Sequence, residues 1–87
     1  MKCTVSWTGA SGTRSHMGFV AETGSGHIVN MDGAPDERTP TNGGQNLAPR
    51  PMETVLAGTG GCTAYDVVLI LKRGRHDVRG CSVKLTS

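Results

Sequence analysis

Eighty-seven residues with nine Lys and Arg against seven Asp and Glu, a formal charge of +2, allow one small, mildly basic domain. Hydrophobic content of 36%, aromatic content of 3% and 13 glycines make a lean core, and a chain near this size buries only about 60–65% of its unfolded surface. These values exclude a self-sufficient oily globule and predict that stability leans on a partner, most simply a second copy of the chain.

The first strand signal is residues 2–8, where Cys3, Val5 and Trp7 alternate with Lys2, Thr4, Ser6 and Thr8. Residues 9–15 are rich in glycine and serine and read as a turn region that also carries Arg14. Met17, Phe19 and Ala21 then alternate with Gly18, Val20 and Glu22 as a second strand. Thr23-Gly24-Ser25-Gly26 is a tight connection, and residues 27–31 form a third strand ended by Asp32-Gly33. Three strands on short turns predict an antiparallel meander. Residues 34–50 hold three of the four prolines and no periodicity, so this connection is either mobile or functional.

Residues 51–73, PMETVLAGTGGCTAYDVVLILKR, are too long for a strand. Pro51 opens the stretch, and Gly74 closes it behind Lys72 and Arg73, so both ends of a helix are marked. Such a helix runs roughly 33 Å. Apolar residues on every side predict burial nearly all round, which a chain this short cannot supply alone. Gly58, Gly60 and Gly61 inside it each cost about 1 kcal/mol relative to alanine, so the cluster predicts another backbone crossing at close range. Beyond Gly74, residues 78–85 alternate again, with Cys81, Val83 and Leu85 on one face, and predict a fourth strand. The fold class is α+β: a three-stranded antiparallel meander, one long buried central helix and one further strand, in a single domain spanning 1–87.

Three widely spaced cysteines, Cys3, Cys62 and Cys81, form no zinc spacing, no CxxC and no secreted disulfide framework. No metal or cofactor is implied. With no signal peptide and no apolar run long enough to span a membrane, a reducing cytoplasm is the expected location. The basic residues Lys72, Arg73, Arg75, His76 and Arg79 suit a helix C-terminus, and no aromatic residues interleave with them to make a nucleic-acid surface.

Cys62 has two readings: a small buried residue filling the glycine crossing, or a thiol presented where two elements meet. A reactive thiol needs its thiolate stabilised. Cys62 is too far into the helix for the helix's own N-terminal dipole, and Asp66, one turn on, disfavours the thiolate. The cation must come from elsewhere, with Arg50, Arg38, Arg14, His27 and His16 the upstream donors. Glu53, roughly 13 Å before Cys62 along the axis, is either a first-turn carboxylate facing the helix dipole or a group that holds an arginine. Asp66, in an apolar helix, should be paired or at a water-filled interface. Cys3 and Cys81 fall on the inward faces of strands and read as core.

Residues 50–78, RPMETVLAGTGGCTAYDVVLILKRGRHDV, resemble the first core helix of the OsmC/Ohr family, and specifically its YhfA-like branch. SGHIVNMDG at 25–33 and CSVKLTS at 81–87 are similar to the same branch. The resemblance implies an intertwined homodimer with two long helices packed at its centre. It also implies a thiol peroxidase acting on organic hydroperoxides, with Cys62 as the attacking thiol, a second cysteine resolving the sulfenic acid, and a dithiol reductant regenerating the pair. The family's second core helix, with that resolving cysteine, would follow Ser87, which implies a truncated member. The peroxidase branches place a carboxylate directly after the helix-opening proline, where this chain has Met52 and then Glu53. They also use an arginine from the loop between the first strands, where Arg14 is the one arginine. The other readings are a non-catalytic dimeric or apolar-ligand-binding module and an inactive truncated product. No nucleic-acid or membrane partner is expected.

Overall fold

The computed structural model describes residues 1–9, 17–39 and 42–87. Arg14 and His16, two of the candidate cations, lie outside the described residues. Four elements follow in order: β1 (Cys3–Trp7), β2 (Phe19–Thr23), β3 (Ile28–Met31) and α1 (Pro51–Arg73). The chain divides into two compact units, Met1–Pro51 and Met52–Ser87.

The first unit is the expected meander. β2 pairs antiparallel with both neighbours in the order β1-β2-β3, with Val5 opposite Ala21 and Ala21 opposite Val29. Directly opposed residues share a face, so Cys3, Val5, Trp7, Phe19, Ala21, Val29 and Met31 line one side of the sheet. Ala21, at the centre, is buried. Val5 and Trp7 remain 57% and 55% exposed, and Cys3 is exposed, so its assignment to a core is corrected. The physical reason is that three strands supply only one layer of a domain that needs two.

The β2-β3 turn has the chemistry of a short hairpin loop. Gly26 takes φ 86°, a left-handed conformation that glycine adopts without a Cβ clash. Thr23 closes the loop three ways: its N–H donates to the His27 carbonyl at 2.9 Å, its carbonyl accepts from Gly26 N–H at 3.0 Å, and its hydroxyl oxygen accepts from His27 N–H at 3.1 Å.

The second unit is α1 and the segment after it. The helix spans the predicted residues, but its end is built differently from the expectation. His76 N–H donates to the Leu71 carbonyl at 3.0 Å and Arg75 N–H to the Lys72 carbonyl at 2.9 Å, the paired bonds of a Schellman cap. Arg75, not Gly74, holds the left-handed position, with φ 63°. A non-glycine residue there costs about 1 kcal/mol or somewhat more. Arg75→Gly is therefore expected to stabilise the helical unit by about 1 kcal/mol in thermal melts followed at 222 nm; an unchanged or lower melting point would refute the assignment of the cap.

Residues 78–85 form no strand, which corrects the expected fourth one; a strand exists by pairing, and the one sheet among the described residues ends at β3. Instead the segment packs on the helix, where a Cβ built on Gly60 would lie 2.5 Å from Leu85 Cδ1. Within the single chain α1 is left uncovered, as a chain this short requires: only Gly60 is buried in it, while Val55, Tyr65, Val67 and Ile70 are exposed. Finally, α1 is long and apolar enough to cross a membrane by length and composition, contrary to the expectation that no run is. A core helix passes the same test, and an aspartate such as Asp66 would cost about 2.5–3.5 kcal/mol at a bilayer centre.

Candidate functional site

Nine residues are about two and a half turns of α-helix, so Glu53 and Cys62 point to opposite sides of α1. The structure does not bring them together within the chain. Glu53 lies instead beside Met52, Val55, Leu56, Thr59 and Ser87.

Cys62 sits differently. Gly58, Gly61, Tyr65 and Asp66 stand three or four residues from it or from one another on the same side of the helix. Together with Cys62 they line an open depression of about 430 Å³. The thiol is free and exposed. Gly58 and Gly61 leave the depression unfilled, since a Cβ on either would meet nothing within 4 Å. The glycine cluster therefore has two roles. Gly60 faces away and receives Leu85, while Gly58 and Gly61 clear space around the sulfur.

Chemically, this arrangement presents a small polarisable nucleophile in a shallow recess with a phenol and a carboxylate at its rim. It admits a small molecule to Cys62 without steric obstruction. Asp66 is on the rim rather than in a closed core, which answers how a carboxylate is tolerated in an apolar helix. Cys81 is free and exposed, so its assignment to a core is corrected too. Among the described residues no group of His, Cys, Asp and Glu is arranged to hold a metal ion.

Of the candidate cations, His27 has a side-chain partner in its own turn. The imidazole Nδ1 of His27 is 3.0 Å from the Ser25 hydroxyl in the hairpin turn. Arg38 lies beside Asp36 through its backbone, whose N–H donates to the Asp36 carboxylate at 3.0 Å. Asp36 also accepts from the Thr39 hydroxyl at 2.7 Å, and this bond, with the backbone N–H groups of Thr39 and Arg38, holds its carboxyl below the usual aspartate value. At the helix C-terminus, Arg79 pairs with Asp77 at 3.0 Å, but both side chains are largely exposed and water screens the pair.

One residue escaped the sequence reading. Asp32, read as the polar half of a turn, is 6% exposed and gathers backbone N–H groups from residues 33, 45 and 47. An aspartate closing an apolar strand ahead of a Gly-rich connection was the available signal.

The chain is similar to Protein YhfA of Escherichia coli strain K12, with 52% identity over 69 residues that make up 79% of this chain and 45% of that protein. Protein YhfA of Shigella flexneri matches to the same extent. The chain spans about half the length of the curated relatives it matches. A solved structure described as structural genomics aligns with all of this chain and 55% of its own, at 41% identity and a TM-score of 0.72. No family model matches the chain.

Proposed function

We propose that the chain is part of an OsmC-like redox protein in which Cys62 is the attacking thiol toward organic hydroperoxides. The observation that carries this reading is the exposed Cys62 thiol in a recess kept open by Gly58 and Gly61. The resemblance of residues 50–78 to the first core helix of the OsmC/Ohr family supports it, and similarity to Protein YhfA over 79% of the chain supports the YhfA-like part of that resemblance.

In the proposed step the Cys62 thiolate attacks one oxygen of the O–O bond. A sulfur–oxygen bond forms, the peroxide bond breaks, and the departing alkoxide takes a proton to leave as the alcohol. Cys62 is oxidised to the sulfenic acid, and the hydroperoxide is reduced. A thiol then displaces water from the sulfenic acid to form a disulfide, and a dithiol reductant restores both thiols. The protein is proposed to act in the cytoplasm as a homodimer packed through α1, whose exposed Val55, Tyr65, Val67 and Ile70 support a second copy as the missing cover.

The Glu53 geometry favours a second reading. Peroxidase branches of the resembled family have a carboxylate directly after the helix-opening proline; here Met52 stands there, and Glu53 points to the side of α1 away from Cys62. That supports a dimeric module that keeps the recess and binds an apolar ligand without turnover. One experiment separates the two. Stoichiometric alkyl hydroperoxide is expected to convert Cys62, and not a Cys62→Ser variant, to sulfenic acid, read by dimedone trapping and mass spectrometry. Absence of the adduct would retire the peroxidase reading, and an adduct that dithiols do not recycle would leave the binding module.

A further inference from the structure

The connection from β3 to α1, residues 33–50, has no periodicity of its own, yet three of its backbone amides converge on one side chain. Asp32 is 6% exposed, and a buried carboxylate must replace its lost hydration. Its Oδ1 accepts Gly33 N–H at 2.7 Å, and its Oδ2 accepts both Gln45 N–H at 3.3 Å and Leu47 N–H at 3.1 Å. The Asp32 N–H in turn donates to the Pro49 carbonyl at 2.9 Å. One residue therefore ties down the start and the far end of the connection.

Asn46 is clamped between the two amides that share Oδ2. Its own N–H donates to the Gly33 carbonyl at 3.2 Å, and its φ is 54°, a left-handed conformation that asparagine tolerates better than most side chains. With the backbone held in that shape, the Asn46 side chain is directed at Arg50, whose Nη1 donates to Asn46 Oδ1 at 3.4 Å. That bond is long and exposed, so it favours one orientation of Arg50 only modestly.

We infer that Asp32 is the latch that closes residues 45–47 onto the end of β3 as one cooperative unit, and that the latched Asn46 biases the orientation of the Arg50 guanidinium. Because Gln45 and Leu47 share an acceptor, neither amide opens while the other keeps Asp32 and Asn46 in place. The device delivers an arginine with fewer orientations to lose when it pairs with a carboxylate or another anion. The inference does not depend on what Cys62 does.

Two variants of the full chain test it. In Asp32→Asn, the amides of Gln45, Asn46 and Leu47 are expected to exchange with deuterium together, about tenfold faster or more, while the β1–β2 ladder keeps its protection. In Asn46→Gly, which keeps the left-handed backbone and removes Oδ1, loop protection is expected to persist, while the Arg50 side chain gains motion in nitrogen relaxation at Nε. Faster exchange at a single amide in Asp32→Asn would overturn the cooperative latch. Loss of protection across all three strands would also overturn it, since Asp32 would then be holding the sheet. An unchanged Arg50 in Asn46→Gly would overturn the relay.

Discussion

Gly44→Ala is expected to destabilise the Met1–Pro51 unit by about 2–3 kcal/mol, among the larger effects available to a single methyl group. A Cβ at residue 44 would run into the Gly33 carbonyl oxygen and lie 2.6 Å from both Gly33 C and Asp32 Oδ1. Two of those three atoms are backbone, and the third belongs to a carboxylate tied down by hydrogen bonds at residues 33, 45 and 47. Nothing there can swing aside. The chain must separate around residue 44, which breaks the 2.9 Å bond from Gly44 N–H to the Ala34 carbonyl and loosens the loop. Gly24→Ala is the matched control: its Cβ would meet the Lys2 carbonyl at 3.2 Å, a contact that relaxes by a few tenths of an ångström. Urea unfolding of both variants decides the matter, and a Gly44→Ala loss no larger than that of the control would sink the packing argument.

The double change Gly58→Ala with Gly61→Ala is expected to act in opposite directions at two levels. Within the chain both positions face open space, so two alanines should raise the stability of the helical unit by about 2 kcal/mol, roughly 1 kcal/mol for each glycine removed from a helix interior. In the proposed homodimer the same two methyl groups fill the recess beside Cys62 and hold a neighbouring helix off, so association should weaken by about tenfold or more. Circular dichroism at high dilution reads the first effect, and sedimentation equilibrium reads the second. A dimer that tolerates both alanines unchanged would show that nothing lies against this side of α1. Gly60→Ala should fall between these cases, because the atom it meets, Leu85 Cδ1 at 2.5 Å, is the far end of a flexible side chain.

Much of this architecture was legible along the chain because its signals are local. Alternation of Cys3, Val5 and Trp7 against Thr4 and Ser6 survives as the two faces of β1. Thr23-Gly24-Ser25-Gly26 carries its own turn instructions, down to the glycine with positive φ. Pro51 and the pair Lys72 and Arg73 bound α1 at its observed ends. The site was legible in part. Cys62 beside a glycine cluster identified the position, but the division of that cluster into one glycine that receives Leu85 and two that open the recess follows from 3.6-residue geometry in a folded context. The 78–85 segment shows the limit: alternation records which residues favour a strand, but not whether another strand is there to pair with it.

The sequence by itself determined the three-stranded meander, both ends of α1, the hairpin at Gly26 and the placing of a thiol among missing side chains, because these depend on neighbours within a few residues. Only the folded structure decided that Asp32 anchors a loop reaching residue 47, that Arg75 rather than Gly74 adopts the left-handed cap, and that Leu85 comes to lie against Gly60. Those outcomes depend on which backbone amides and which helix faces meet in space. A buried carboxylate takes whatever N–H groups the fold brings to it, and no run of adjacent residues encodes them.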